Sequence, residues 1–140
     1  MLSDQETLSI VKSFREQFKD SLVSLVLFGS FAQGRAKPTS DVDILAIIEE
    51  DYSSMEKKVV QVDTDLTWLL KRAVRCLPFT PDDFTFMVEE RFPLILGVAS
   101  GYQILFDPSG FFEKQIQEIF KDVEKGKIKY YPRSGIWVVK

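Results

Sequence analysis

The segment FGSFAQGRAKPTSDVDILAII, residues 28–48, contains the end of one apolar run and the whole of the next. The first run, residues 22–28, stops at Gly29, and after ten residues that follow Ser30 the second run begins with Asp41 and Asp43. Nearly continuous apolar runs are typical of strands that are covered on both faces. The segment therefore predicts two central strands, residues 22–28 and 42–48, with a polar turn between them and two acids at the start of the second strand.

The two acids are expected to face one common site. Side chains at positions i and i+2 of a strand point to the same face, with Cα atoms about 6.5–7 Å apart. Two carboxylates held within roughly 4 Å of each other repel by about 4 kcal/mol at an effective dielectric near 20. Mg²⁺ and Mn²⁺ prefer carboxylate oxygens, and pairs of such ions serve phosphoryl and nucleotidyl transfer. We therefore interpret Asp41 and Asp43 as catalytic metal ligands.

The turn that follows the first strand is predicted to bind phosphate. Gly29 allows close approach of the backbone to a phosphate, and the N–H groups of a following helical turn can bind an anion. Ser30 adds a hydroxyl donor, and Arg35 or Lys37 can neutralise a triphosphate. We also assign Ser40 to the nucleotide site.

Composition limits the remaining possibilities. A chain of 140 residues with 45% hydrophobic and 28% charged residues is typical of one globular domain. The net charge of −3 gives no basic field that would attract nucleic acid, although residues 125–140 contain five basic and no acidic side chains. The chain has no His, and its single cysteine, Cys76, excludes an internal disulfide. We find no export or membrane signal and expect a cytoplasmic protein.

Periodicity and turn residues predict an α/β (α+β) domain with a mixed sheet flanked by helices. Capping boxes at Ser3 and Ser53 predict helices that begin there, and later helices are expected near residues 93–101 and 111–123. A third strand is predicted over residues 83–88 and a fourth over 102–106. We expect a nucleotidyltransferase domain at 1–126 and a basic, aromatic tail at 127–140, folded as a short hairpin packed on that domain.

The motif resembles a known superfamily. Gly29-Ser30, ten intervening residues and the Asp41-Val42-Asp43 triplet match the GSx10DxD signature of the polymerase-β-like nucleotidyltransferases. Within it the short chain is similar to the minimal nucleotidyltransferases (MNT), which are paired with HEPN proteins. The segments FPLILGVASGYQILFDPSGFFEK and RSGIWVVK also resemble this group. The resemblance implies a mixed sheet flanked by helices, a Gly-Ser turn that holds the triphosphate, and three carboxylates that bind Mg²⁺.

The third carboxylate does not map clearly onto the chain. Asp83, at the start of the predicted third strand, is our choice, and Asp82 is the alternative. Asp63 and Asp65 would qualify only if their segment were a strand instead of a helix. Asp83 also departs from the family pattern, because Asp82 and Pro81 precede it where apolar residues are usual.

The resulting hypothesis is a Mg²⁺-dependent enzyme that transfers AMP from ATP to a hydroxyl acceptor. The resemblance implies that the acceptor is a HEPN toxin and that this chain is its antitoxin. Two alternatives stay open: a small-molecule acceptor, and a non-catalytic antitoxin that acts by binding alone. A nucleic-acid partner is not expected, and self-association stays undecided.

Overall fold

The computed structural model describes residues 2–139. Met1, the first residue of the predicted domain 1–126, and Lys140, the last residue of the predicted tail 127–140, lie outside the described residues. Five α-helices and six β-strands follow one another in that range, with a short 3-10 helix at Lys19–Ser21. They are α1 (Asp4–Phe18), β1 (Leu22–Phe28), β2 (Val42–Ile48), α2 (Tyr52–Leu70), β3 (Val74–Phe79), α3 (Pro81–Glu89), α4 (Pro93–Ala99), β4 (Tyr102–Phe106), α5 (Phe111–Glu124), β5 (Ile128–Tyr131) and β6 (Ile136–Val139).

The central sheet has four strands in the order β3-β2-β1-β4. Strand β1 pairs antiparallel with both β2 and β4, whereas β2 pairs in parallel with β3. The sheet is therefore mixed, as predicted. Its two central strands are β1 and β2, which the apolar runs on either side of the polar turn had indicated.

Helices cover both faces of the sheet. Even-numbered residues of β2, from Val42 to Ile48, pack with α1 and α2 in one core. The odd-numbered Leu45 and Ile47 pack with α3, α4 and α5 in the other. Because strand side chains alternate, Asp41 and Asp43 lie on the same side as Leu45, at the start of β2.

The third strand is not where the sequence predicted it. Residues 83–88 belong to helix α3, which begins at Pro81. Thr80 is its N-cap, and the Thr80 side chain accepts a hydrogen bond from the N–H of Asp83 at 3.2 Å. Residues 74–79 form the third strand instead. Pro78 is tolerated there because β3 is an edge strand, which leaves alternate N–H groups unpaired in the sheet.

Helix α2 begins two residues earlier than predicted. The N-cap is Asp51, whose carboxylate accepts a hydrogen bond from the N–H of Ser54 at 2.8 Å, so the expected cap at Ser53 was wrong. The predicted capping box at Ser3, in contrast, is present.

Two polar side chains of α2 bond the backbone of the neighbouring edge strand. Thr67 Oγ1 accepts from the N–H of Val74 at 3.1 Å, and Asp63 Oδ2 accepts from the N–H of Cys76 at 3.3 Å. These bonds attach α2 to β3 along the outer side of the sheet.

The C-terminal residues form the predicted hairpin. Strands β5 and β6 pair antiparallel, with Tyr130 opposite Trp137 and their ring centroids 4.6 Å apart. Ile128 is buried in the core that α5 shares, and Trp137 packs against the same core. Among residues 2–139, no helix is both long and apolar enough to cross a membrane.

Candidate active site

The turn between β1 and the acid pair is a tight, internally hydrogen-bonded segment that begins at Gly29. Gly29 has φ +75°, a conformation that side chains with a Cβ rarely adopt. The N–H of Gln33 donates to the Gly29 carbonyl at 3.1 Å, and the N–H of Arg35 donates to the Ser30 carbonyl at 2.9 Å. The N–H groups at the start of such a helical turn have no partner within it, and a bound anion can accept their hydrogen bonds.

Gly29 lies directly against the acid pair. A Cβ added to Gly29 would lie 2.6 Å from Oδ2 of Asp43, closer than real Cβ contacts come. The predicted phosphate turn and the predicted metal ligands are therefore parts of one site. Glycine is favoured here, because its φ is strained for other residues and the carboxylate of Asp43 would have to shift to admit a Cβ.

Arg75 of β3 spans the two acids. Its Nε lies 3.3 Å from Oδ2 of Asp41, and its Nη2 lies 3.2 Å from Oδ1 of Asp43. The parallel register explains the contact, since Asp43 is directly opposite Arg75. Burial raises the pKa of Asp43 above its usual value, and the nearby guanidinium partly offsets this effect. The acid pair is thus paired with a cation supplied by the chain itself.

Asp83 and Asp82 do not join this site. The register places Phe79 opposite Ile47, so the chain leaves β3 about 13 Å along the strand from Asp43, at roughly 3.3 Å per residue. Asp83 Oδ2 accepts a hydrogen bond from the Tyr52 hydroxyl at 2.5 Å, and Asp82 lines a hollow with residues 49–51. Both acids therefore lie near the opposite end of the sheet, which corrects their assignment as third metal ligand.

Asp63 and Asp65 do not join it either, because their segment is helical. Asp63 contacts β3 from the face that α1 and α2 cover, which is opposite to the face of Asp43. Burial raises the pKa of Asp63 to about 6, partly offset by the Cys76 N–H. Asp65 is exposed on α2 and accepts a hydrogen bond from the side chain of Gln61.

A cleft of about 440 Å³ adjoins Gly29. Its walls are the turn after β1, helix α4 and the tip of the C-terminal hairpin. Among its lining residues are Gly29, Arg35, Gly97, Tyr130 and Arg133. The cleft thus combines two arginines, an aromatic ring and the start of the turn, which are groups that suit an anionic ligand with an aromatic base.

The remaining predicted residues are divided between the cleft and the loop. Arg35 lines the cleft, and its guanidinium contacts the side chain of Gln33. Ser40 instead closes the loop, because its hydroxyl accepts a hydrogen bond from the N–H of Lys37 at 2.8 Å. The hydroxyl of Ser40 is therefore engaged within the loop between β1 and β2.

The acid pair fits a divalent cation that arrives with a nucleotide. Within residues 2–139 no group of three or more acidic, Cys or His side chains is placed to hold a metal ion. Mg²⁺ is commonly bound through one or two carboxylates, with phosphate oxygens and waters as the other ligands. Asp41 and Asp43 meet this requirement, provided that Arg75 gives up its contacts.

Two parts of the site were missed from the sequence. Arg75 is not among the residues that the sequence indicated for the site, although the alternation of Val74, Arg75 and Cys76 is a strand signal. The hairpin was expected only to pack on the domain, and no local pattern links Tyr130 or Arg133 to residues a hundred positions earlier.

Comparison with known sequences gives a family match and a relative that is similar over most of its length. The sequence profile of the nucleotidyltransferase domain family matches residues 9–95, a range that includes Gly29, the acid pair and Arg75. A putative protein adenylyltransferase of Methanocaldococcus jannaschii is 30% identical over 126 residues, which cover 89% of this chain and 86% of that protein.

Solved structures share the fold at low sequence identity. A chain from the complex of a tri-AMPylated Shewanella oneidensis HEPN toxin with its MNT antitoxin matches with a TM-score of 0.54 and 16% identity, covering 90% of both chains. The spectinomycin adenyltransferase of Enterococcus faecialis, solved with ATP and spectinomycin, matches with a TM-score of 0.60 and 12% identity, covering 89% of this chain and 67% of that chain. At these identities the likeness concerns the fold, and it confirms the predicted mixed sheet flanked by helices.

Proposed function

Because this chain belongs to the nucleotidyltransferase domain family, we propose that it transfers AMP from ATP to a hydroxyl group of a partner protein in a reaction that depends on Mg²⁺ or Mn²⁺. The proposal rests on the contact of Gly29 with the carboxylate of Asp43. A phosphate on this turn lies beside the acid pair, where a metal ion can reach it. We place the reaction in the cytoplasm, where ATP is available.

The cleft beside Gly29 is the proposed seat of the nucleotide. We assign the N–H groups of the turn and the hydroxyl of Ser30 to the phosphates, because the turn begins at Gly29, which lines the cleft. Arg35 and Arg133 supply positive charge from two sides of the cleft, and charge-assisted hydrogen bonds to phosphate are stronger than neutral ones. Tyr130, whose ring packs against Trp137 at a tilt, supplies an apolar surface.

Asp41 and Asp43 are the residues that would hold the metal ion. When bound, Mg²⁺ supplies Lewis-acid stabilisation of the charge on the phosphate oxygens. The two aspartates differ in environment, because Asp41 is 39% exposed and Asp43 only 21%. Asp43 is thus the more enclosed of the two, while Asp41 lies at the open side of the site.

The chemical step is a displacement at the α-phosphorus. The acceptor oxygen forms a new bond to this phosphorus, and the bond to the oxygen that bridges the α- and β-phosphates breaks. Pyrophosphate leaves with the electron pair, and the hydroxyl proton passes to water at the open side of the site. The chain contributes alignment, which is worth up to roughly 7–11 kcal/mol for well-oriented groups.

We propose a HEPN-type protein as the acceptor, with this chain as its antitoxin. The Shewanella complex supports this choice, because its HEPN toxin is AMPylated and bound to an MNT antitoxin of the same fold.

A second function, neutralisation of the partner by binding alone, is favoured by one observation. Arg75 occupies the acid pair, and the acids proposed as third ligands lie elsewhere. A chain in which Arg75 never leaves would bind its partner without modifying it.

Labelled ATP separates the two functions. The chain is incubated with the co-encoded HEPN-type protein, Mg²⁺ and ATP labelled at either the α- or the γ-phosphate. We expect the partner to take up α-label and no γ-label, on a hydroxyl side chain such as that of Tyr. The double variant Asp41→Asn/Asp43→Asn should lose the label, whereas Asp65→Asn, which changes an exposed acid outside the site, should keep it. Co-purification of a silenced toxin without α-label would establish the binding-only function instead.

A further inference from the structure

We propose that Arg75 is a built-in counterion of the acid pair: it keeps divalent metal ions out of the nucleotide-free chain and moves to the phosphates when nucleotide and metal bind together. The inference rests on the proposed function only in taking ATP as the nucleotide. It makes Arg75 a positioning residue and not a reacting group.

The geometry of the pair supports the first half of this proposal. The guanidinium contacts one oxygen of each aspartate, at 3.3 Å for Asp41 and 3.2 Å for Asp43. A metal ion that binds both carboxylates must enter the same space. It also meets the positive charge of Arg75, which lowers the attraction of the two aspartates for a second cation.

The exposure of Arg75 supports the second half. Its side chain is 67% exposed on the edge strand β3, so it can leave its partners without breaking a packed core. Ion pairs at such exposed positions are weak. The planar guanidinium also matches the geometry of phosphate oxygens, to which it can donate two hydrogen bonds.

The location of the phosphate turn completes the argument. Gly29 contacts Asp43, and Asp43 contacts Arg75, so phosphates bound on the turn lie next to the guanidinium. When a triphosphate arrives, Arg75 has a new anionic partner and the acid pair becomes free for metal. Metal and nucleotide should therefore bind cooperatively, and the cooperativity should depend on Arg75.

The test is a titration with Mn²⁺, in which electron paramagnetic resonance reports the free ion. Without nucleotide, we expect Arg75→Gln to bind Mn²⁺ about tenfold more tightly than wild type, within the usual range of coupling between sites. Lys57→Gln removes one positive charge from the exposed face of α2 and should behave as wild type. Adding Asp41→Asn/Asp43→Asn to Arg75→Gln should remove the gain, which assigns the metal to the acid pair.

The second measurement repeats the titration with a non-hydrolysable ATP analogue. The analogue should increase the Mn²⁺ affinity of wild type several-fold more than that of Arg75→Gln. Arg75→Lys, which keeps the charge, provides a second variant and should resemble wild type in the nucleotide-free titration. Circular dichroism checks that all variants are folded.

Equal Mn²⁺ affinities for Arg75→Gln and Lys57→Gln, or no Mn²⁺ binding by Arg75→Gln, would overturn this inference. The readout does not require AMP transfer. A chain that never labels its partner but shows the Arg75 effect would refute the proposed reaction and leave this inference intact.

Discussion

Replacing Gly29 with alanine tests whether the phosphate turn and the acid pair act as one site. Two costs follow from the structure. Alanine at φ +75° adds about 1–2 kcal/mol of backbone strain. In addition, the new Cβ would lie 2.6 Å from Oδ2 of Asp43, and ordinary contact begins at 3.4 Å, so the carboxylate must shift by about 0.8 Å.

We expect Gly29→Ala to lower AMP transfer about 100-fold, the loss that a misplacement near 1 Å can cause. Gly34→Ala is the matched control. Gly34 has φ +70° in the same turn, and a Cβ there has no heavy atom within 4 Å. Both variants should therefore lose about 1–2 kcal/mol of unfolding free energy in urea titrations, but only Gly29→Ala should lose activity in the α-label assay.

The reasoning depends on the difference between the two variants. If Gly34→Ala lost as much activity as Gly29→Ala, backbone strain alone would explain both, and the contact with Asp43 would be irrelevant. If Gly29→Ala kept full activity, the carboxylate of Asp43 would not need its present position.

Three further outcomes follow from other parts of the structure. Asp83→Asn should change AMP transfer less than about threefold. It weakens the hydrogen bond from Tyr52 and should lower the free energy of unfolding by about 1 kcal/mol in urea titrations. A loss of AMP transfer comparable to that of the Asp41→Asn/Asp43→Asn variant would show that Asp83 belongs to the site. Burial raises the pKa of Asp63 to about 6, so its stabilising effect is complete below about pH 4 and is lost as the pH rises through 6. Urea titrations from pH 4 to 7 should show wild type losing up to about 3 kcal/mol relative to Asp63→Asn, at 1.36 kcal/mol per pH unit, and parallel pH profiles would contradict this. Arg133→Ala should weaken binding of an ATP analogue about fivefold, or roughly 1 kcal/mol, whereas Lys129→Ala, outside the cleft lining, should leave it unchanged in a calorimetric titration.

The sequence locates the elements whose signals are local. The two central strands follow from continuous apolar runs, and the acids at the start of β2 point the same way because strand side chains alternate. The turn at Gly29 follows from a glycine after a strand. Each of these inferences needs only neighbouring residues.

The third strand could not be located in this way, because two local signals conflict. The segment DFTFMV contains β-branched and aromatic residues and is short enough to be a strand, although Thr80 and Pro81 are also a helix start. The true strand, residues 74–79, contains an arginine and a proline, which argue against a central position but not against an edge. Pairing with β2 makes residues 74–79, and not residues 83–88, the third strand, and the same pairing brings Arg75 to the acid pair.

The two bonds from α2 to β3 have a consequence for how this protein avoids aggregation. The N–H of Val42 donates a hydrogen bond to the carbonyl of Ala73, so residue 73 faces β2. By alternation, the backbone nitrogens of residues 74, 76 and 78 point outward from the sheet. Thr67 and Asp63 bond the first two, and Pro78 has no N–H to offer. A strand from another molecule therefore finds no donor at these three positions, and edge-to-edge growth of the sheet is blocked on this side. The partly buried carboxylate of Asp63, which is unfavourable for the folded chain at neutral pH, thereby removes one donor from the open edge of the sheet.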